Sequence, residues 1–170
     1  SKQPAFAQSS WNSGFEAGMQ DWGAPSITPN PTQKPGNNTV EITTEHVHEG
    51  KQALLFDVGS WSPKIRMRSV FLPLPQNAPY LQLHYWQFFS GPRGCQFGAR
   101  IQLYTAHKVP SERSGFSAGG DTHPDGEWFP RLTRFKVPGE ARFYTIELYW
   151  SVGSGKVIFD DFALTAPTEP

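Results

Sequence analysis

The sequence predicts an all-β protein built as an antiparallel β-sandwich or barrel. Segments rich in β-branched and aromatic residues recur at intervals of about 10–20 residues, as in all-β domains. Turn-forming residues separate these segments, since the 170-residue chain contains 16 glycines and 16 prolines. No segment keeps a helical apolar period through three turns, so no substantial helix is expected.

The predicted elements follow one another along the chain, about nine strands in all. A short first strand ends at Phe15 and Glu16, and residues 23–38 form a Pro-rich loop. Residues 105–126 form a long polar loop, and loops of this length are usually functional or mobile. Eight further strands are predicted at 39–44, 52–58, 64–71, 80–89, 96–104, 128–137, 142–150 and 156–164.

Composition limits the class of function. The formal net charge is zero, so the overall charge favours neither nucleic acid nor an anionic membrane as a partner. No stretch approaches the roughly 20 apolar residues of a membrane span. The single Cys95 excludes an internal disulfide and a cysteine zinc site. We expect a monomer with no nucleic-acid partner and no membrane association.

The length fits one domain with a sizeable core. We assign residues 1–8 to a linker or expression remnant, residues 9–165 to the β-sandwich and residues 166–170 to a Thr/Pro linker. Thr/Pro tails join modules in larger proteins. We therefore expect this domain to be attached to another module.

Alternation along the strands separates a core face from an outward face. In the strand 80–89, Leu81 and Leu83 share the core face. In the strand 64–71, Ser69 and Phe71 are expected on the core face with Ile65. The outward set combines aromatic rings with polar groups and consists of Arg66, Arg68, His84, Trp86, Phe88, Arg100, Gln102, Tyr104, Glu147 and Tyr149.

This outward set suits a polysaccharide lying across the sheet. The C–H faces of sugars pack on aromatic rings, and their hydroxyls need a few placed polar groups. The three arginines also suggest an acidic sugar, because guanidinium pairs with carboxylate or sulfate in two-point geometry. Trp61 and Trp128 lie near strand ends and are either the rim of this site or core residues. The alternative is a solvated face, with Trp86 packed beneath the loop 105–126.

Asp160 and Asp161 are adjacent within the last predicted strand. Asp is depleted in strands, so this pair needs compensation. The candidate partner is the segment 11–16 at the other end of the chain, and we interpret the two ends as meeting around a shared cation. Strict alternation places Asp160 on the face of Ile158 and Phe162, but a bulge at the pair would change that.

Five segments resemble carbohydrate-binding modules of the galactose-binding-like jelly-roll type, which include xylan- and glucan-binding modules of glycoside hydrolases. The resemblance implies a non-catalytic module that binds a polysaccharide and targets an attached carbohydrate-active enzyme. It also implies a secreted, cell-surface or periplasmic protein. The segments are Asn-Ser-Gly-Phe-Glu at 12–16 with Trp22 after it, His-Glu-Gly-Lys-Gln-Ala-Leu at 48–54, Tyr-Leu-Gln-Leu-His-Tyr-Trp at 80–86, residues 128–138, and Val-Ile-Phe-Asp-Asp-Phe-Ala-Leu at 157–164.

The resemblance further implies a structural calcium ion between the first segment, the turn near 48–51 and the last strand. Calcium takes six to eight oxygen ligands, and a cation would offset the cost of burying acids near a core. Alternatively, Glu16 and Asp161 are exposed or paired with Lys51 or Arg142. The implied ligands are the carboxylates of Glu16 and of Asp160 or Asp161, and the backbone carbonyls of Gly14, His48 and Lys51.

The sequence contains no evident catalytic set, so we expect a protein that is not an enzyme. There is no Gly-x-Ser-x-Gly elbow, no obvious pair of carboxylates for glycoside hydrolysis, and no evident third ligand beside His46 and His48. A non-binding adhesion or spacer domain stays open. So does a jelly-roll lyase for uronic-acid polymers, with His84, Tyr104, Tyr149, Arg66 and Arg100 as candidate catalytic groups.

Overall fold

The computed structural model describes residues 11–32, 37–114 and 124–167, which form two antiparallel sheets and no helix. The predicted β-sandwich is therefore confirmed, and no helix in these ranges could cross a membrane. The strands are β1 (Ser26–Thr28), β2 (Asn38–Thr43), β3 (Ala53–Val58), β4 (Lys64–Arg68), β5 (Leu72–Pro73), β6 (Tyr80–Ser90), β7 (Gln96–Thr105), β8 (Pro110–Ser114), β9 (Glu127–Lys136), β10 (Ala141–Val152) and β11 (Gly155–Thr165).

The two sheets have different strands and a common core. One sheet has the order β1-β4-β10-β7-β8, with β5 also paired to β10, and the other has the order β2-β3-β11-β6-β9. Aromatic rings fill the space between them, and Phe97 stacks on Trp150 with centroids 5.1 Å apart. Phe56, Phe89 and Phe159 are also buried there. Each such side chain contributes about 1.5–3 kcal/mol through removal from water.

Short elements were predicted less well than long ones. The expected first strand is a series of turns, in which Phe15 has a positive φ of 62° and stacks on Trp22 at 4.9 Å. Strand β1 lies inside the predicted loop 23–38, and β8 lies inside the predicted loop 105–126. Residues 115–123 of that loop lie outside the described residues. Short strands at sheet edges offer too few positions for alternation to reveal them.

The predicted strand 64–71 is interrupted at Ser69. Its backbone N–H donates to the Ile146 carbonyl at 2.9 Å, and its hydroxyl accepts the Ile146 N–H at 3.0 Å. The side chain of Ser69 is buried as expected. After it the alternation is broken, so Leu72 enters the core and Phe71 packs on the outer side against Tyr104 at 4.7 Å. The prediction that Phe71 faces the core was wrong.

The predicted outward face is divided between the two sheets. Strands β4, β7 and β10 are neighbours in one sheet, whereas β6 lies between β11 and β9 in the other. His84, Trp86 and Phe88 on β6 therefore lie on the opposite side of the sandwich from the arginines. The prediction of one continuous face was wrong in this respect, because alternation distinguishes inward from outward without saying which sheet a strand joins.

Strand β11 contains a bulge at the aspartate pair. Its register with β6 shifts between Asp160 and Ala163, and Asp161 has a φ of 56°. Phe159 and Phe162 consequently both enter the core, which strict alternation would not allow. A bulge adds one residue to one strand and re-aims the side chains beyond it.

Candidate functional site

The outer surface of the six-stranded sheet carries a compact polar group that we name the arginine–tyrosine face: Arg66, Arg68, Arg100, Glu147 and Tyr149. Arg66 lies opposite Tyr149 across the β4–β10 ladder, and Glu147 lies opposite Arg68. On its other side Glu147 lies opposite Arg100 of β7. Directly opposed residues of antiparallel strands place their side chains within contact distance, so three strands build this face together.

An ion pair and two cation–π contacts fix the side chains of this face. Arg100 Nε donates to Glu147 Oε2 at 2.6 Å, and the two side chains are 19% and 18% exposed. The guanidinium carbons of Arg66 and Arg100 lie 5.5 Å and 5.4 Å from the centre of the Tyr149 ring. Guanidinium groups at this range are attracted by the ring electrons. On β7 the cross-strand neighbour of Tyr149 is Gly98, which has no side chain to crowd the ring.

Tyr149 is held as a neutral phenol. Burial raises the pKa of Tyr149, and repulsion with Tyr85 raises it further, while the nearby guanidinium groups of Arg100 and Arg66 oppose the shift. A tyrosine with a raised pKa keeps its O–H proton at neutral pH. Tyr149 can therefore offer both a ring surface and a hydroxyl to a ligand.

Gln102 and Tyr104 lie beneath the surface of this sheet and are only 6% and 4% exposed. The Tyr104 hydroxyl lies 3.3 Å from Thr145 Oγ1 and accepts a hydrogen bond from Arg68 Nη1 at 3.4 Å. Gln102 Nε2 donates to the Leu103 carbonyl at 3.0 Å. Tyr104 therefore helps to orient Arg68, and both predicted site residues present little surface of their own.

A cleft of about 340 Å³ opens on the arginine–tyrosine face. Its lining contains three guanidinium groups and one carboxylate, so the cleft is cationic. A second cleft, of about 500 Å³, lies between the segments 75–79 and 137–142. Its lining includes Gln76, Asn77 and Arg142 but no aromatic side chain on which a sugar ring could pack. The first cleft is lined by Ala24, Arg66, Met67, Arg68, Arg100 and Glu147.

The outer surface of the five-stranded sheet carries a separate group that we name the histidine–tryptophan cluster: His46, His48, Trp86, Phe88 and Trp128. The His48 ring stacks on Trp86 with centroids 4.0 Å apart and an angle of 18°. His46 lies 4.2 Å from Phe88, and Trp128 lies 5.3 Å from His48. The turn carrying the two histidines thus covers one side of the Trp86 ring.

Two further predicted site residues lie apart from the arginine–tyrosine face. His84 Nε2 is 2.8 Å from Gln82 Nε2 and 3.5 Å from Thr165 Oγ1, and burial lowers the pKa of His84. Trp61 is 46% exposed in the turn between β3 and β4, where the neighbouring Ser62 N–H donates to Gly153. Neither side chain belongs to the cleft.

The predicted metal-site residues converge on one region, which we name the carboxylate junction. Asp160 is fully buried, and its Oδ2 accepts the N–H groups of His48 at 3.1 Å and Glu49 at 3.3 Å. Its Oδ1 accepts the Asp161 N–H at 2.9 Å. Burial, and then repulsion by Asp161, raises the pKa of Asp160 to about 7 against these three hydrogen bonds. The site therefore favours added positive charge.

The two ends of the chain meet at this junction. The Phe162 N–H donates to the Ser13 carbonyl at 3.2 Å, and a methyl group placed on Gly14 would lie 3.5 Å from Asp161 Oδ1. Glu16 Oε1 accepts the Lys51 N–H at 2.9 Å. The segments predicted to share a cation are therefore gathered in one place.

The donors of the junction suit calcium in part. The turn between β2 and β3 directs backbone N–H groups toward Glu16 and toward Asp160 Oδ2. N–H groups repel a cation, whereas calcium needs oxygen ligands. The Oδ1 atom of Asp161, on the side of Gly14, is the part of the implied ligand set that fits best, since Asp160 Oδ1 faces the same glycine but already accepts the Asp161 N–H.

A different donor set lies on the solvent side of the same junction. Ligand atoms of His48, Glu49 and Asp161 lie within 4.8 Å of one another, and His48 Nδ1 is 2.7 Å from Asp161 Oδ2. This group could hold a metal ion. From the sequence, His48 was predicted as a carbonyl ligand of calcium, and its ring was considered for zinc only beside His46, without a third ligand. Glu49 was not predicted as a ligand. The adjacency of a histidine and a glutamate in the turn was the available signal.

Comparison with known proteins supports the fold. No family model and no curated protein matches the sequence. Among solved structures, the enzymatically active domain of tailspike protein 4 of bacteriophage CBA120 matches with a TM-score of 0.70 and 13% identity over 94% of this chain. This chain spans only 21% of that tailspike chain.

Two carbohydrate-binding structures are also similar. A Family 16 Carbohydrate Binding Module-2 matches with a TM-score of 0.57 and 15% identity, covering 91% of this chain and 97% of the module. The second structure contains the CBM22-1 and GH10 modules of Clostridium thermocellum endo-1,4-β-D-xylanase 10B, complexed with xylohexaose. It matches with a TM-score of 0.57 and 12% identity, covering 91% of this chain and 28% of that chain. The chain thus has the jelly-roll fold of carbohydrate-binding modules, as the sequence resemblance indicated.

Proposed function

We propose that residues 9–165 form a non-catalytic carbohydrate-binding module that takes a polysaccharide along the arginine–tyrosine face, with 1–8 and 166–170 as linkers. The observation that carries this proposal is the contact of the Tyr149 ring with Arg66 and Arg100, two of the residues that line an open cleft beside it. A sugar ring needs an aromatic surface and hydrogen-bonding groups at fixed positions beside it. Because the strands fix these groups in register, little side-chain entropy is lost on binding.

The charge of the cleft favours an acidic polysaccharide. Glu147 compensates Arg100, while Arg68 has no carboxylate within ion-pair distance among the described residues and contacts Phe71 and Tyr104 instead. Guanidinium groups recognise carboxylates and sulfates through paired hydrogen bonds. We therefore assign uronic-acid or sulfated polymers as the preferred ligand class.

The role of such a module is to hold an attached carbohydrate-active enzyme at its substrate. Tethering raises the effective concentration of the catalytic module without any new contact. The xylanase 10B structure contains a carbohydrate-binding module beside a GH10 module, which supports this arrangement. The substrate would then lie outside the cell, and so would this protein, whether secreted, surface-bound or periplasmic.

The geometry favours binding over a lyase reaction. The candidate lyase groups are split, since His84 lies on the five-stranded sheet and Tyr149 on the six-stranded sheet. A tyrosine base must lose its proton, and the raised pKa of Tyr149 opposes this. Arg100 is already paired with Glu147 and is poorly placed to neutralise a uronate during catalysis.

Affinity electrophoresis against a polyuronate, a sulfated polysaccharide and a neutral xylan tests the proposal. Tyr149→Ala should weaken binding by at least about tenfold, and Arg66→Gln should weaken it for the acidic polymers. Arg93→Ala, in the exposed turn before β7, is the matched control and should bind like the wild type. Absence of binding to all three polymers would leave the spacer role, and an unsaturated product absorbing in the ultraviolet would indicate a lyase.

We also propose that a calcium ion stabilises the carboxylate junction. The supporting feature is the buried Asp160 beside Asp161, with Gly14 of the N-terminal segment against both Oδ1 atoms. Asp160, Asp161 and the Gly14 carbonyl would hold the ion, which would supply positive charge and join the chain ends. A chelator should then lower the melting temperature of calcium-loaded protein through mass action. Identical melting curves with and without chelator would refute this proposal.

A further inference from the structure

We propose that His48, Glu49 and Asp161 form a second metal site, selective for a divalent transition cation of the zinc type. One imidazole nitrogen and two carboxylates converge, with all three ligand atoms within 4.8 Å of one another. Zinc is bound at about 2.0–2.2 Å by histidine nitrogen and carboxylate oxygen. An ion at these distances brings its tetrahedral ligands to roughly 3.4 Å from one another, so only small side-chain movements are needed.

The imidazole of His48 is already oriented for this role. Its Nδ1 lies 2.7 Å from Asp161 Oδ2, which places that nitrogen on the carboxylate side. The ring stacks on Trp86 at 4.0 Å, and Trp128 contacts it edge-on at 5.3 Å. These two contacts restrict the rotamer, so binding an ion would cost little side-chain entropy.

The backbone of the site is held by a buried carboxylate. Asp160, which is 0% exposed, accepts the N–H groups of both His48 and Glu49. The bulge gives Asp161 a φ of 56° and directs it toward the turn. These hydrogen bonds fix the backbone of the turn that carries two of the three ligands.

The donor type separates this site from the proposed calcium site. Calcium is bound by oxygen atoms, whereas imidazole nitrogen suits zinc, copper and nickel. The calcium proposal uses the Oδ1 side of the aspartates near Gly14, and the zinc-type site uses Asp161 Oδ2 with His48. Because Glu49 is exposed and the His48 and Asp161 side chains are 19% and 26% exposed, an ion can reach the site from solvent.

A bound ion would join the turn after β2 to strand β11. Since the same histidine lies on Trp86, the metal would also hold this ring stack in place. Trp86 then serves as a reporter of occupancy, because a paramagnetic cation such as Co²⁺ close to an indole quenches its fluorescence. Without metal, His48 Nδ1 and Asp161 Oδ2 contact each other directly at 2.7 Å.

The test is a calorimetric titration of chelator-treated protein with Zn²⁺, alone and after saturation with Ca²⁺. The wild type should bind one equivalent in both cases, and His48→Gln should lose at least about tenfold in affinity. His107→Gln, an exposed histidine in the turn after β7, is the matched control and should bind like the wild type. Co²⁺ should quench the fluorescence of the wild type more than that of Trp86→Phe.

Glu49→Gln keeps the proposal testable if the histidine variant does not fold, because Glu49 is exposed and its loss leaves the core unchanged. It should weaken Zn²⁺ binding while the melting curve of the metal-free protein stays the same. The proposal fails if the wild type gives no saturable heat, or if His48→Gln and Glu49→Gln bind like the wild type. It also fails if Ca²⁺ abolishes Zn²⁺ binding, since one shared site of oxygen ligands would then explain both ions.

Discussion

The ion pair between Arg100 and Glu147 should have opposite effects on stability and on binding. The pair is 2.6 Å long, and both side chains are about four-fifths buried. Exposed ion pairs contribute about 0–1 kcal/mol, and breaking a fully buried pair costs about 3–5 kcal/mol. Glu147→Gln keeps the shape and removes the charge, so we expect the free energy of unfolding to fall by about 2 kcal/mol.

The same substitution should strengthen binding of an acidic polysaccharide. The cleft loses its carboxylate and keeps the guanidinium groups of Arg66, Arg68 and Arg100. One more uncompensated cation near a surface is worth about 1 kcal/mol of attraction at moderate distance, which corresponds to about fivefold in affinity. The gain should shrink at high salt, because mobile ions screen exposed charges.

Urea denaturation and affinity electrophoresis on a polyuronate gel measure the two effects. The denaturant slope should be unchanged, since the exposed area on unfolding is the same. Glu127→Gln, an exposed glutamate at the start of β9, is the control and should change neither quantity. Unchanged stability would show that the pair contributes nothing, and weaker binding of the polyuronate would contradict an anionic ligand at this cleft.

Three other substitutions test separate parts of the structure. Trp86→Ala should lower the unfolding free energy by about 1–2 kcal/mol through loss of the stack on His48, while polysaccharide affinity stays unchanged. His84→Gln should reduce the loss of stability as pH falls below about 6.5, because burial lowers the pKa of His84 from 6.5 and the unfolded chain therefore binds its proton first. Gly153→Ala should destabilise by about 2–4 kcal/mol, because the new methyl group would contact Cys95 Sγ and φ is 92° there.

Each outcome has a clear opposite. Loss of polysaccharide binding in Trp86→Ala would move the site to the histidine–tryptophan cluster. A pH profile of His84→Gln parallel to that of the wild type would show that His84 titrates alike in the folded and unfolded chains. Wild-type stability of Gly153→Ala in urea would mean that the turn after β10 can relax away from Cys95.

Much of the architecture was readable from the sequence because it depends on local pattern. The long strands β6, β7, β10 and β11 were found from alternation, and the core faces of β6, β7 and β10 were assigned correctly. In β11 alternation fails at the bulge, where Phe159 and Phe162 both enter the core. The aspartate pair marked the last strand as unusual, because Asp is depleted in strands. Alternation left a bulge there open, and the structure decided it. The edge strands β1 and β8 were missed because three and five residues carry too little periodicity.

The candidate sites depended more on contacts distant in sequence. Alternation identified Arg66, Arg100 and Tyr149 as outward residues, and the structure placed them side by side. It also identified Trp86 as outward, yet β6 joins the other sheet, so Trp86 meets His48 instead of the arginines. Glu49 was not predicted as a ligand, because its position beside Asp161 depends on a pairing 112 residues apart in the chain.

The sequence alone determined that this chain folds into two antiparallel layers and which side of β6, β7 and β10 faces water, because each property is set by neighbouring residues. The tertiary structure alone decided which strands share a sheet. That choice depends on hydrogen bonds between segments far apart in the chain, which no local pattern specifies. The tertiary structure therefore divided one expected surface into two. The cationic cleft lies on the six-stranded sheet, and the histidine–tryptophan cluster, beside the proposed metal site, lies on the five-stranded sheet.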